Sequence, residues 1–255
     1  MSEEKSIIVT NDDGIDSPYI RVLAGKLEEV FPGAVIVIAP ESQQSATSHT
    51  ITLHKPLRVE EREPRRFAAS GSPVDCVYLG LMKLAPTPVG LVISGINDGH
   101  NLGTDIFYSG TVGGAVEGGL RGIPSIAASL APRAPEQIER AAMLTVELAR
   151  AMLEGRLTVA PVLNVNVPSG WSGAVRWTSL GRRFYQDDVH ERTDPRGRHY
   201  YWIGGGIAGS DLAPGSDCEA IEAGVASISP LHLDLSARQV VDSSPALELN
   251  GFHKG

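Results

Sequence analysis

Two aspartates stand side by side at Asp12 and Asp13, directly after the short apolar run Ser6 to Thr10. Neighbouring carboxylates repel, so such a pair persists at a strand end when something cationic holds it together. With the Ser45 hydroxyl and the Asn97 amide as further oxygen partners, the fitting cation is a hard divalent ion, Mg²⁺ or Mn²⁺. An ion of that kind polarises a phosphoryl oxygen and activates water. Asn11-Asp12-Asp13-Gly14 is also good turn chemistry, and an exposed turn is the competing reading.

A second feature is Tyr108-Ser109-Gly110-Thr111, which opens a Gly- and Ala-rich helix reaching Arg121. Backbone N–H groups and the dipole at a helix start bind phosphate, and the Ser109 and Thr111 hydroxyls add contacts. Taken alone, Ser109 needs no ligand, because serine is a common helix N-cap. Other phosphate motifs are absent. Gly95, Gly99 and Gly103 do not make the G-x-G-x-x-G turn of a dinucleotide site, and no P-loop sequence occurs. The position two after Asp12 is Gly14, so the Asp-x-Asp of aspartyl-phosphate phosphatases is missing too.

The elements that must position these residues read as βαβ units. Apolar runs at 6–10, 34–39, 89–94, 124–129, 162–167 and 225–229 predict strands. Between them, 19–30 places Ile20, Leu23, Leu27 and Val30 on one helical face, and 109–121 and 135–154 predict two more helices. The pattern predicts an α/β fold with a mostly parallel sheet. Residues 50–53 and 57–60 could pair as a hairpin beside it. Ligands bind such sheets at the carboxyl ends of the strands. Asn11-Asp12-Asp13, the loop 41–49 and the cluster 95–101 all follow predicted strands, so they converge on one edge. Beyond Pro168 aromatic and basic residues become dense, and the turn Asp194-Pro195-Arg196-Gly197 predicts a projecting hairpin. The stretch from Leu233 carries little pattern and reads as a loose helix or a tail.

Bulk properties narrow the classes. A chain of 255 residues suits one α/β domain with a full core. The formal net charge of -8 argues against a binder of duplex nucleic acid, which needs a basic face. Cys76 and Cys218 lie far apart, which predicts two buried apolar side chains and neither a disulfide scaffold nor a thiolate metal site. No apolar run approaches the roughly 20 residues of a membrane span. The expectation is a soluble, cytoplasmic protein with no membrane partner.

Seven stretches in order, IVTNDDG (8–14), APESQQS (39–45) with SHTITL (48–53), GSPVDCVYLG (71–80), VISGINDGHNLG (92–103), YSGTV (108–112), LNVNVP (163–168) and GVASISPL (224–231), closely resemble the SurE family of stationary-phase survival proteins and 5′-nucleotidases. The resemblance spans almost the whole chain. It implies a single domain over 1–255 with a Rossmann-like, three-layer αβα core and one divalent metal ion per subunit. It also implies a homodimer or homotetramer formed by exchange of a C-terminal hairpin, matched here by 169–209. The implied reaction is hydrolysis of nucleoside 5′-monophosphates, with 3′-monophosphates and short polyphosphate as further substrates. Carried over by motif position, Asp12, Asp13, Ser45 and Asn97 hold the metal, with Asp12 and Asp13 catalytic. Asn11, Asn101, Ser109, Gly110 and Thr111 line the phosphate pocket.

Some positions depart from the family pattern. The loop Glu41-Ser42-Gln43-Gln44 lacks the usual basic neighbours of Ser45, Ser48 replaces a common glycine, and Ser72 a common threonine. His100 replaces a proline; beside Asn97 and Asn101 it could protonate a leaving oxygen, and the plainer reading is a surface loop residue. His49 fits the pattern and reads as positional. Two other classes stay open: a metal- and nucleotide-binding regulatory oligomer without turnover, and a structural oligomer built on the aromatic arm.

Overall fold

The computed structural model describes residues 5–186 and 188–236. In chain order the helices are α1 (Pro18–Val30), α2 (Pro73–Leu79), α3 (Gly110–Leu120), α4 (Ile138–Leu153) and α5 (Asp217–Glu222). The strands are β1 (Ser6–Thr10), β2 (Val35–Pro40), β3 (Val59–Glu63), β4 (Arg66–Ala69), β5 (Val89–Asp98), β6 (Ser125–Leu130), β7 (Val162–Val167), β8 (Val175–Trp177), β9 (Arg182–Tyr185), β10 (Asp188–Thr193), β11 (His199–Gly204), β12 (Ile207–Asp211) and β13 (Ala226–Leu231).

Nine strands make one sheet in the order β3-β4-β2-β1-β5-β6-β7-β13-β8. The six from β4 to β7 in that order run parallel, and β3 and β13 lie antiparallel to β4 and β7. Every residue of β1, β2, β6 and β7 is buried, as a parallel sheet covered on both faces requires. Alternation along β1 sends Ile7 and Val9 toward Leu23 and Leu27 of α1 and Ala142 and Val146 of α4. Ile8, with Ile36 and Ile38 of β2, meets Cys76 and Val77 of α2 on the other face. Burying each such Ile or Leu contributes roughly 1.5–3 kcal/mol, which fixes the strand register and with it the strand ends. The α/β class, the parallel sheet and the principal strands and helices match the expectation.

The segment 50–60 does not. Residues 50–53 form no strand; β3 pairs instead with β4 across the turn Pro64-Arg65, where Arg65 sits at φ +61. The physical reason is a competing partner. Asp75, 1% exposed, accepts the Thr52 N–H at 2.8 Å and the Thr52 hydroxyl at 2.7 Å, which takes that stretch out of strand pairing. The same carboxylate accepts the Ser72 N–H at 2.9 Å, completing a capping box on α2, a helix that hydrophobic period alone did not reveal.

The arm forms as two stacked pairings. β9 pairs with β12, and beyond them β10 pairs with β11 across the turn at Asp194. Asp194 sets that turn by accepting the Arg196 N–H at 2.8 Å and the Arg198 N–H at 3.0 Å. Cys76 and Cys218 are buried free thiols, and no described helix is long and apolar enough to cross a membrane. Of the C-terminal stretch, 233–236 carries no regular element and 237–255 lies outside the described residues.

Candidate active site

The chain leaves β1 for β2 on one side, and β5 later joins β1 on the other. This reversal splays the loops after β1 and β5 apart, and the crevice it opens is where such sheets take ligands. Gly95 is required here: it sits at φ +137, and a Cβ on it would lie 2.2 Å from the Ala128 carbonyl oxygen of β6. That close approach lets β5 turn its end, Asn97 and Asp98, toward the Asp12-Asp13 loop.

A cavity of about 260 Å³ occupies the crevice. Asp12, Asp13, Ser45, Asn97, Asn101 and Ser109 line it, so six of the sequence candidates come together. Two larger cavities lie elsewhere and hold no carboxylate: a 500 Å³ one beside Lys5, Phe31 and Arg65, and an apolar 650 Å³ one between Phe107, Leu120 and Leu233.

Three candidates serve the site from behind. Asn11 is fully buried, and its amide accepts the Gly14 N–H at 3.1 Å and donates to the Gly14 carbonyl at 3.0 Å. It holds the turn that presents the aspartates. Thr111 is also fully buried; its hydroxyl donates to Asp12 Oδ1 at 2.5 Å and its N–H to Asp12 Oδ2 at 3.2 Å. Gly110 lets α3 approach, since a Cβ there would stand 3.0 Å from Asp12 Oδ2. The Val112 N–H is taken by the N-cap Ser109 Oγ at 3.1 Å. At this helix start no acceptor among the described residues takes the Gly110 N–H or the Ser109 O–H.

Electrostatics follow from burial. Asp12, 6% exposed, has its pKa raised, chiefly by burial, with the Thr111 hydrogen bonds opposing the rise. Asp13 is pushed up to about 6, first by burial and then by the Asp12 charge, while the Asp98 N–H at 3.3 Å pulls it down. Among the described residues no Lys, Arg or His forms an ion pair with either carboxylate. Two uncompensated carboxylates in a partly dry crevice are the environment a cation relieves.

The donors suit a hard ion. Asn97 gives its amide N–H to the Gly99 carbonyl at 2.7 Å, leaving its oxygen for the crevice, and the Ser45 hydroxyl lines the same wall. No cluster of three or more His, Cys, Asp or Glu that could hold a metal occurs among the described residues. The oxygen groups on this wall that could hold a cation are two carboxylates, one hydroxyl and one amide.

Asn101 is fixed by a buried amide network. Its N–H donates to Asn166 Oδ1 at 2.8 Å and its side chain to Ser129 Oγ at 2.9 Å, and Asn164 and Asn166 both donate to its carbonyl. The stretch LNVNV thus stitches the 95–101 loop to β7. His100 lies in the loop after β5, as the plainer reading expected, and does not line the cavity. It is partly buried with Nε2 on the Val167 carbonyl at 2.9 Å, and burial lowers its pKa. His49 pairs through Nε2 with the buried Glu117 at 3.1 Å, away from the crevice.

Gln43 and Asp98, inside the loop 41–49 and the cluster 95–101, line the cavity too, and so do Asp105, Tyr108 and Tyr185. Tyr108 directly precedes Ser109 in the chain, and that adjacency was its signal. Asp105 and Tyr185 had none: the strand β9 brings Arg183 and Tyr185 across 78 and 80 residues of chain onto Asp105.

Known proteins resemble this chain in sequence and in fold. The family model described as "Survival protein SurE" matches residues 7–187. A protein named 5′-nucleotidase SurE from Anaeromyxobacter sp. (strain Fw109-5) is 44% identical over 97% of this chain and 98% of its own. One of the same name from Sorangium cellulosum (strain So ce56) is 48% identical over 91% and 92%. The crystal structure of the Sure protein from Aquifex aeolicus superposes with a TM-score of 0.78 at 36% identity, covering 94% of this chain and 98% of that one.

Proposed function

This chain belongs to the SurE family, and on that premise we propose that it is a metal-dependent 5′-nucleotidase releasing phosphate from nucleoside 5′-monophosphates at Asp12 and Asp13. Nucleoside 3′-monophosphates and short polyphosphate present the same terminal phosphoryl group and are proposed as further substrates. The observation that supports this most is the convergence of Asp12, Asp13, Ser45 and Asn97 on one cavity beside the start of α3.

In this reading one divalent ion per subunit, Mg²⁺ or Mn²⁺, is held by Asp12, Asp13, Ser45 and Asn97. When bound it supplies Lewis-acid polarisation of the phosphoryl oxygen and a more acidic water. The protein's own residues do the rest. The Gly110 N–H, the Ser109 hydroxyl and Asn101 orient the phosphate and stabilise charge building on its oxygens. Asp12 is locked by Thr111 at both oxygens and acts as a fixed charge. Asp13 accepts one backbone N–H and reaches the cavity, so it is the carboxylate placed to take a proton from the attacking water.

The arm is proposed as the oligomerisation element, exchanged between subunits of a dimer or tetramer. Tyr201, Trp202 and Ile203 are strongly exposed on it, Ile203 at 90%. Gln186 N–H meets the Gly206 carbonyl at 3.0 Å, so deleting 188–204 leaves a closed chain, and loss of the oligomer in solution is the expected result.

The deciding assay is phosphate release from AMP with Mn²⁺ or Mg²⁺, with and without chelator. Turnover that chelation abolishes is expected. AMP binding without any turnover would replace the hydrolase with the regulatory oligomer.

A further inference from the structure

The cavity is smaller than the roughly 300–1,000 Å³ that encloses a drug-sized ligand. A nucleotide whose phosphate reaches Asp12 and Ser109 therefore leaves its base at the mouth. Two aromatic rings stand there, Tyr108 at 68% exposure and Tyr185 at 45%. Neither ring is used in the core, and both belong to the cavity wall.

Asp105 holds both. Its carbonyl accepts the Tyr108 N–H at 2.9 Å and the Ser109 N–H at 3.1 Å, which sets the turn that presents Tyr108. Its carboxylate accepts the Tyr185 hydroxyl at 2.5 Å and pairs with Arg183 at 2.5 Å. Burial and that hydrogen bond push the Tyr185 hydroxyl up to about 12, so it remains a donor across the working pH range. Asp217 locks the base of the same strand, accepting the Gly181 N–H and the Gly103 N–H, each at 2.7 Å. The Tyr185 ring and the Tyr108 backbone are thus anchored before any ligand arrives, which lowers the cost of ordering them on binding.

We propose that Tyr185, anchored by Asp105, and Tyr108 form a base-stacking pair that selects nucleoside monophosphates over phosphomonoesters lacking an aromatic ring. Stacking on a flat ring accepts any base, so the pair selects a nucleotide without choosing among bases. Asp105 is a positioning residue, because it acts through the two tyrosines.

The inference rests on the nucleotidase reading, and its test compares kcat/KM for AMP with that for ribose 5-phosphate. In Tyr185→Ala and Tyr108→Ala the preference for AMP falls about tenfold, carried by KM for AMP. Tyr185→Phe keeps the ring and retains most of the preference. A ratio within about twofold of the parent in both alanine variants overturns the proposal, as does a loss in Tyr185→Phe equal to that in Tyr185→Ala. Calorimetric binding of the two compounds runs alongside. A parent chain that binds AMP more tightly than ribose 5-phosphate, loses that difference in the alanine variants and turns over neither sinks the hydrolase reading and upholds the stacking pair. Equal binding of the two by the parent sinks the pair.

Discussion

Thr111 holds both oxygens of Asp12, with its hydroxyl 2.5 Å from Oδ1 and its N–H 3.2 Å from Oδ2. The helix start thereby stabilises a carboxylate of its own chain, and its positive end is partly spent before a phosphate arrives. Thr111→Val keeps the shape and the N–H bond but removes the hydroxyl donor from a buried carboxylate. A hydrogen bond to a charged group contributes about 1.5–3 kcal/mol, so stability in urea falls by about that amount. AMP turnover falls roughly ten- to a hundredfold as Asp12 loses its fixed orientation. Turnover equal to the parent's would show that Asp12 does not need the lock.

Gly110→Ala sets two effects against each other. Alanine is favoured over glycine in a helix by about 1 kcal/mol. Its Cβ would stand 2.8 Å from the Thr47 hydroxyl and 3.0 Å from Asp12 Oδ2. The hydroxyl can turn away, but Asp12 must shift by a few tenths of an ångström. The melting temperature is therefore expected to change by only a few degrees while kcat drops at least about tenfold. A simultaneous loss of fold and activity would mean that the glycine serves packing alone.

Asp13 links the cation to pH. Its folded-state pKa, about 6, lies above the carboxylate reference near 3.9. In metal-free protein the folded state binds the extra proton, so this group favours folding at low pH and that contribution is lost as pH rises through about 6. A divalent cation needs the carboxylate, so its stabilisation runs the other way and grows as pH rises through the same region. Thermal melts with and without Mn²⁺ should show a clear rise in Tm at about pH 8 and almost none at about pH 5. Asp13→Asn removes that pH dependence, and Asp13→Ala or Asp12→Asn abolishes turnover of p-nitrophenyl phosphate by several powers of ten with the fold intact. An Mn²⁺ effect of equal size at both pH values would place the cation elsewhere.

How far the sequence carried depends on whether a signal was local. β1, β2, β6 and β7 are short aliphatic runs buried on both faces, so hydrophobic pattern alone finds them. Asp12, Asp13 and Asn97 follow such runs, and the rule that ligands gather at strand ends locates them. Thr52 departs from the strand pattern because its partner, Asp75, lies 23 residues away and outweighs strand propensity. Thr111 was legible as a helix-start residue, but its orientation toward Asp12, 99 residues away, depends on how α3 seats against β5 and β6. Tyr185 was invisible as a cavity residue, because nothing near it in the chain indicates that the arm folds back onto Asp105.

Asp217 supplies the last test. Fully buried at the start of α5, it accepts the Gly181 N–H at 2.7 Å and the Cys218 N–H at 2.8 Å on Oδ1, and the Gly103 N–H at 2.7 Å on Oδ2. One carboxylate thus ties the base of the arm to the loop that carries Asp105. Gly103 is fitted to this junction, since a Cβ on it would lie 2.6 Å from the Gly181 carbonyl oxygen. Asp217→Ala leaves two buried N–H groups and the half-buried Gly181 N–H without their acceptor, a loss of about 3–5 kcal/mol when each costs roughly 1–3 and the site relaxes in part. Asp217→Asn keeps one acceptor but turns an N–H₂ toward the Gly181 or the Gly103 N–H, so it recovers only part of that. Urea melts measure the stability, and limited proteolysis at 180–190 reports whether the arm base has come loose. If Asp217→Ala melts like the parent and resists protease equally, Asp217 does not hold the arm against the active-site loop.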